Sequence, residues 1–155
     1  MASSSWASSG SVRKSMVANR GTDTGPELAI RRILHRRGMR FRVNMRPIPN
    51  LRRTGDIVFT RWKVAVYIDG CFWHGCPVHY VPPKTNAHYW APKIRRNVER
   101  DAETNETMRL AGWTTMRFWS HQSPAEVAQE ICVAIGSRRQ GVHGRLEPDK
   151  VNLPR

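Results

Sequence analysis

The segment Val64–His79 reads VAVYIDGCFWHGCPVH, and it joins an apolar run to a dense group of chemically active side chains. Its first part, residues 64–68, is almost entirely apolar, which favours a central strand buried on both faces of a sheet. The part that follows concentrates residue types that bind metals or transfer protons: Asp69, Cys71, His74, Cys76 and His79. We therefore expect a buried strand that ends directly at a functional loop.

Three further strands are predicted around this segment. Each is a short run with alternating or mainly apolar side chains, bounded by turn residues. The strand before Val64 begins with an acid, Asp56, and the central strand ends with another, Asp69. If these two strands form a hairpin, the two acids meet at the same end of the sheet. The predicted strands are Phe41–Met45, Gly55–Phe59 and Trp113–Trp119.

Three helices complete the prediction. Thr24–Glu27 has the pattern of a capping box, which predicts a helix that ends at Gly38. Glu27 therefore has a structural role available to it, beside a possible role at an active site. A long helix is predicted from about Ala91 to Ala111, and a last helix begins at a second capping box, Ser123–Glu126.

The length of 155 residues predicts one domain. Residues 1–12 are rich in serine, alanine and glycine and are predicted to be disordered. Residues 13–136 hold the domain, and the polar residues 137–155 are predicted to form a flexible tail.

The formal net charge is +14, and most of the excess lies in residues 1–63, which hold 14 Lys or Arg against 3 Asp or Glu. Release of counterions from phosphates favours the binding of such a chain to nucleic acid. Arg13 and Lys14 lie in a basic segment that is either a short helix or an arm that orders on its partner. The alternative is a basic surface without a partner.

Three cysteines, two of them in a histidine-rich segment, are typical of metal ligands in a reducing compartment rather than of a disulfide framework. No apolar run is long enough to cross a membrane, and the first residues lack the build of a signal peptide. These features predict a cytoplasmic protein.

Cys71-x4-Cys76-x2-His79 supplies three ligands of the kind that zinc prefers. A closed structural site needs a fourth ligand, and His121, just beyond the last predicted strand, is the best candidate. The alternative is two ordinary cysteines and a surface histidine. Cys132 lies near an apolar helix side and is predicted to be a buried thiol rather than a ligand.

His74 remains outside the predicted zinc set and is a candidate for proton transfer near neutral pH, with Asp101 of the long helix as its orienting partner. Alternatively, His74 bonds only to the backbone, and Asp101 pairs only with bases on its own helix. Asp56 and Asp69 offer the oxygen ligands that Mg²⁺ prefers. One or two such ions beside a basic surface indicate hydrolysis of phosphodiester bonds.

Phe72 and Trp73 at the tip of the loop, with Tyr89 and Trp90 before the long helix, are candidates for wedges that enter DNA between base steps. A mismatched pair is already weakened, so wedges act there at a lower cost. The alternative is plain core packing, which we expect for Trp113 and Trp119 because strands favour aromatic residues.

Taken together, these residues closely resemble the very short patch repair (Vsr) DNA mismatch endonucleases over roughly residues 12–122. The motif DGCFWHGCP at Asp69–Pro77 is highly specific to that family. The other matching residues are Met16, Thr24–Glu27, Gly55-Asp56, Pro83–Asn86, Trp90, Lys93, Asn97–Asp101, Gly112-Trp113 and Trp119.

The resemblance implies a restriction-endonuclease-like α/β core with a mixed sheet flanked by helices. It implies a Mg²⁺-dependent enzyme that nicks one strand on the 5′ side of the thymine in a T:G mismatch, which arises when 5-methylcytosine deaminates. It also implies functional links to a cytosine-5 DNA methyltransferase, a DNA polymerase, a ligase and mismatch-repair proteins. A monomer associated with the bacterial nucleoid is expected.

By the same resemblance, Asp56 is the main Mg²⁺ ligand and His74 the general base, with Asp101 as its partner and Glu27 as a supporting acid. The resemblance further implies a zinc set of Cys71, Cys76, His79 and His121, and DNA contacts by Met16, Phe72, Trp73, Trp90 and Lys93. Well-studied members have a histidine where this chain has Asp69. Two other functions stay open: a restriction-type nuclease on undamaged DNA, and a zinc-stabilised DNA-binding module without catalysis.

Overall fold

The computed structural model describes residues 21–143. The elements are three helices, four strands and a short 3-10 helix at Thr60–Trp62. No helix among residues 21–143 is both long and apolar enough to span a membrane. In chain order the main elements are α1 (Gly25–Arg36), β1 (Arg42–Met45), β2 (Gly55–Phe59), β3 (Val64–Asp69), α2 (Ala87–Leu110), β4 (Thr114–Trp119) and α3 (Pro124–His143).

The four strands form one mixed sheet in the order β1-β2-β3-β4. β1 and β2 are antiparallel, as are β2 and β3, whereas β3 and β4 are parallel. The apolar run of β3 is therefore an interior strand, and Val64, Ala65 and Val66 are fully buried. A mixed sheet flanked by helices is the architecture that the family resemblance implied.

The two faces of the sheet are covered by different helices. On one face α1 and α3 pack together, and their apolar side chains, among them Leu34 and Ile131, form the main core with Ile57, Val66 and Phe118. On the other face Met108 of α2 packs against Ala65 and Tyr67 of β3. Because side chains alternate along a strand, Tyr67 and Asp69 both lie on the α2 face.

The start of α1 differs from the predicted capping box. The Thr24 hydroxyl donates to Oε1 of Glu27 at 2.9 Å, and Oε2 of Glu27 accepts the backbone N–H of Asp23 at 2.9 Å. Thr24 therefore makes no side-chain bond to the helix backbone. In a capping box the carboxylate of Glu27 would accept the backbone N–H of Thr24, but here it accepts that of the preceding residue, Asp23. The same carboxylate also binds Arg31 of the next turn.

The bounds of the other two helices also differ from the predicted ones. α2 begins at Ala87, so Tyr89 and Trp90 lie in its first turns rather than before it, and Pro92 stands inside the helix. α3 continues to His143, past residue 136. The predictions for residues 1–12, Arg13, Lys14, Met16 and residues 144–155 lie outside the described residues.

Candidate active site and metal centre

Asp56 and Asp69 lie at the same end of the β2–β3 hairpin. β2 begins at Gly55 and β3 ends at Asp69, and the antiparallel register brings the two ends together. They line a cleft of about 900 Å³ that also receives Glu27, His74 and Asp101. The cleft therefore collects acids from two strands and two helices, and a histidine from the loop after β3.

The side chain of Asp56 is held by a backbone N–H of the neighbouring strand β3. Its Oδ2 accepts the N–H of Ile68 at 2.6 Å. Burial raises the pKa of Asp56 to about 6, the charges of Glu27 and Asp69 add to this rise, and the bond from Ile68 opposes it. Because burial and the neighbouring acids destabilise its ionised form, this carboxylate favours a bound proton or a cation, either of which neutralises its charge.

His74 is paired with Asp101, which reaches it from α2. Nδ1 of His74 lies 2.5 Å from Oδ2 of Asp101 and 3.7 Å from Oδ1 of Asp69. Burial lowers the pKa of His74, but the hydrogen bond to Asp101 and the charge of Asp69 outweigh it, so the pKa is raised. With Nδ1 engaged, Nε2 is the nitrogen left for proton transfer.

The turn that carries His74 depends on a glycine. Gly75 adopts φ +66°, a conformation that favours glycine. The backbone N–H of His74 donates to Gly70 at 3.2 Å, and that of Cys76 donates to Cys71 at 2.9 Å. This compact turn lets His74 face the cleft while Cys76 joins a different group.

Arg117 of β4 links the two carboxylates around His74, and the sequence alone did not point to it. Its Nη1 donates to Oδ1 and Oδ2 of Asp69 at 2.8 and 2.9 Å, and its Nη2 lies 3.2 Å from Oδ1 of Asp101. An arginine between two apolar residues of a strand, Met116 and Phe118, was the signal available.

Arg31 of α1 is a second residue that sequence reasoning missed. It is buried and donates to Oε2 of Glu27 and to the backbone carbonyl of Asp56, both at 3.1 Å. It also forms an ion pair with Asp23. Glu27, only 2% exposed, therefore acts on Asp56 through Arg31 and through its own charge.

Cys71, Cys76, His79 and His121 form a group that could hold a metal ion, and their ligand atoms all lie within 4.8 Å of one another. Nδ1 of His121 is 3.1 Å from the sulfur of Cys71 and 3.8 Å from that of Cys76. Nδ1 of His79 is 3.8 Å from the Cys76 sulfur. Sulfur and nitrogen ligands of a tetrahedral ion lie roughly 3.6 Å apart, so the donor set fits such an ion.

The environment of Cys76 favours its thiolate form. Burial raises the pKa of the thiol, but hydrogen bonds from the backbone N–H groups of His79 and Val78 outweigh it, so the pKa is lowered. Cys132, by contrast, lies next to Arg37, whose Nη1 is 3.5 Å from its sulfur. It is not a member of the metal-binding group.

Phe72, Trp73 and Trp90 pack edge to face, with ring centroids 5.2 to 5.7 Å apart. Trp90 is 5% exposed, so it lies beneath the other two rings. Nζ of Lys93 lies 6.0 Å from the Trp73 centroid and 5.6 Å from that of Trp90. Asn97, another residue not predicted, donates to the carbonyl of Trp73 at 2.9 Å and ties the loop to α2.

Basic side chains also line the cleft. Arg52 and Arg53 lie in the loop before β2, and Arg100 lies on α2. Arg53 donates to the carbonyl of Arg100 at 3.4 Å and to the hydroxyl of Thr104 at 3.3 Å. The cleft thus combines acids at one end of the sheet with arginines in its lining, and this combination suits a phosphodiester and a divalent cation together.

Comparison with known proteins agrees with this geometry. The model of the family "DNA mismatch endonuclease Vsr" matches residues 9–79. The Type II nicking enzyme V.NaeI of Lentzea aerocolonigenes is 43% identical over 133 residues, which are 84% of this chain and 78% of that protein. The Type II nicking enzyme V.HpaIIP of Haemophilus parainfluenzae is 36% identical, over 81% of this chain and 89% of that protein.

The DNA mismatch endonuclease Vsr of Escherichia coli (strain K12) is 32% identical over 108 residues, which are 68% of this chain and 67% of that protein. The chain belongs to the Vsr family of DNA endonucleases and is an endodeoxyribonuclease.

Proposed function

We propose that this protein is a Mg²⁺-dependent endonuclease that nicks one strand on the 5′ side of the thymine in a T:G mismatch. The observation that carries the proposal is the opening of Asp56 and the His74–Asp101 pair into one cleft. The Escherichia coli relative is a DNA mismatch endonuclease by name, which supports the mismatch as substrate. Such mismatches arise by deamination of 5-methylcytosine.

Asp56 is the carboxylate proposed to hold Mg²⁺, an ion that stabilises negative charge on a phosphate under attack. His74 accepts the proton of the attacking water at Nε2, because Asp101 holds Nδ1. Glu27 supports Asp56 through Arg31, which bonds both residues.

Zinc is the ion proposed for Cys71, Cys76, His79 and His121, since two thiolates and two imidazoles are a common structural zinc set. Its position right after β3 lets it hold the loop that carries His74. Phe72 and Trp73 are proposed to separate base steps at the mismatch, with the buried Trp90 supporting both rings from beneath and Lys93 at a phosphate. Arg13, Lys14 and Met16, outside the described residues, are proposed to contact the same DNA.

In the cell, the nick is proposed to start very short patch repair, in which a polymerase replaces a short stretch and a ligase seals it. The methyltransferase that creates 5-methylcytosine is then a functional partner, and mismatch-repair proteins are further candidates. A cytoplasmic monomer close to the nucleoid fits this role.

The test compares nicking of otherwise identical T:G and T:A duplexes with Mg²⁺. We expect a single break 5′ of the mismatched thymine and an intact opposite strand. Equal cleavage of both duplexes in both strands supports a restriction-type nuclease instead. Tight DNA binding without any break supports a DNA-binding module. His74→Gln serves as the inactive control, since it removes the proposed base.

A further inference from the structure

Arg117 has a protein partner at each of its three guanidinium nitrogens. Beyond its contacts with Asp69 and Asp101, its Nε donates to Oδ1 of Asn105 at 2.9 Å. Its guanidinium carbon lies 4.6 Å from the centroid of the Tyr67 ring, on the strand that pairs with β4 in register. The side chain is 19% exposed. Arg117 is therefore fixed in place within the protein, unlike a surface arginine that is free to bind a phosphate.

Asp69 and Asp56 have opposite surroundings, although both are acids at the same end of the hairpin. Asp69 is 7% exposed, and the guanidinium of Arg117 contacts both of its oxygens. The carboxylate of Asp56 is bonded to a neutral group, the N–H of Ile68. The nearby arginine, Arg31, bonds the backbone carbonyl of Asp56 rather than its carboxylate.

A divalent cation binds where negative charge is not already neutralised. At Asp69 it would stand directly beside a fixed guanidinium, and repulsion between the two positive charges opposes binding. At Asp56 it would replace an unfavourable buried charge by an ion pair. Asp69 does lie with His74 and Asp101 in a second group whose ligand atoms are all within 4.8 Å of one another. Because Arg117 already neutralises the carboxylate of Asp69, this acid is nevertheless the less favourable ligand of the expected Mg²⁺ pair.

We infer that Arg117 commits Asp69 to positioning the imidazole of His74, and that Asp56 is the carboxylate of this pair that binds the divalent cation. Arg117 is then a positioning residue. It compensates the charges of Asp69 and Asp101, so that both acids flank the imidazole without repelling each other. The inference rests on the proposed hydrolysis in this cleft and narrows its metal ligands.

The first test measures metal binding without DNA, with Mn²⁺ as the probe and electron paramagnetic resonance as the readout. Asp69→Asn should bind Mn²⁺ within about 3-fold of the wild type, whereas Asp56→Asn should bind it about 100-fold more weakly. At saturating metal, Asp69→Asn should nick about 10-fold more slowly without a higher metal requirement. Equal loss of Mn²⁺ binding in the two variants would overturn the inference.

The second test uses the pair itself. Arg117→Met leaves the buried carboxylate of Asp69 without its guanidinium partner, so the melting temperature of this variant should fall further than that of the double variant Asp69→Asn/Arg117→Met. Arg109→Met is the matched control, because Arg109 also donates two bonds to one carboxylate, that of Glu106, on the exposed side of α2. Arg109→Met should leave the melting temperature and the nicking rate close to those of the wild type.

DNA affinity separates positioning from phosphate contact. If Arg117 held a phosphate, Arg117→Met and the double variant would lose DNA affinity equally and the double variant would recover no stability, which would overturn the inference. Failure of the wild type to nick T:G duplexes would count against the proposed function alone, since the Mn²⁺ comparison uses no DNA.

Discussion

Nδ1 of His74 lies 2.5 Å from Oδ2 of Asp101, although one residue stands on a loop after β3 and the other on the middle of α2. The contact fixes the orientation of the imidazole, and it leaves Nε2 as the nitrogen that takes up a proton. Asn97, one turn earlier on the same helix, holds the loop at the carbonyl of Trp73. Two bonds from α2 thus set both the base and the aromatic group beside it.

The nicking rate should rise with pH through the pKa of His74. Burial lowers this pKa, but the bond to Asp101 and the charge of Asp69 raise it above 6.5. A general base acts when it is neutral, so activity is low below the raised pKa and level above it. Asp101→Asn should move the midpoint to lower pH and slow the plateau rate about 10-fold or more.

The measurement is a single-turnover pH profile at saturating Mg²⁺. Glu99→Gln is the control, since it removes an exposed acid from the same helix, and its profile should match that of the wild type. An unchanged midpoint in Asp101→Asn would show that the His74–Asp101 pair does not control the rise of the nicking rate with pH.

Asp56→Asn should abolish nicking and yet stabilise the protein in the absence of Mg²⁺ at pH 8. The pKa of Asp56 is about 6 in the fold against 3.8 in the unfolded chain, so the fold binds its proton more tightly. This contribution is complete below pH 3.8 and is lost as the pH rises through 6. The asparagine variant avoids that loss, which amounts to about 3 kcal/mol.

Urea unfolding at pH 4 and pH 8, without added Mg²⁺ or chelator, measures this difference. The free energy of unfolding of Asp56→Asn should exceed that of the wild type at pH 8, and the difference should nearly vanish at pH 4. A variant less stable than the wild type at pH 8 would show that the bond from Ile68 outweighs the buried charge.

Cys76→Ser should abolish the proposed zinc binding and unfold at a much lower temperature. Cys76 is one of the four residues of the ligand group, and loss of a structural zinc site costs several kcal/mol, on the order of 10 in small modules. Metal analysis of the purified protein gives its zinc content, and a melting curve gives its unfolding temperature. Cys132→Ser, outside the group, should retain zinc and melt within a few degrees of the wild type.

Trp73→Ala should lower the preference for T:G over T:A duplexes more than it lowers general DNA affinity. Loss of the ring removes the wedge that is proposed to separate a weakened base pair. Binding constants for both duplexes, measured at one salt concentration, test this. Trp62→Ala is the control: Trp62 is also half-buried, but it lies at the far end of the β2–β3 hairpin, and its loss should leave the preference unchanged.

Features that depend on neighbouring residues were predictable from the sequence. The apolar run of β3, the hairpin that joins Asp56 to Asp69, and three of the four residues in the metal-binding group are encoded within short segments. His121 could be added because it follows a strand closely. The architecture of a mixed sheet flanked by helices also followed, with the family resemblance as support.

Features that depend on register between distant strands were not predictable. Arg117 reaches Asp69 because β4 pairs with β3 in parallel, with Tyr67 opposite Arg117, and no local pattern states that pairing. Arg31 reads as one of many surface arginines until α1 packs over β2. The start of α2 was placed late because proline usually marks a first turn, whereas Pro92 stands further inside the helix.

The two ligands at 3.1 Å, Cys71 and His121, are 50 positions apart in the chain. An ion bound by both is therefore a cross-link that spans the whole parallel crossover, including α2. In chain-entropy terms a covalent tie across a loop of that length removes about 4 kcal/mol of unfolded-state freedom. Chelation should thus expose α2 to proteases as one cooperative unit, carrying Asp101 and Asn97 away from the catalytic loop together.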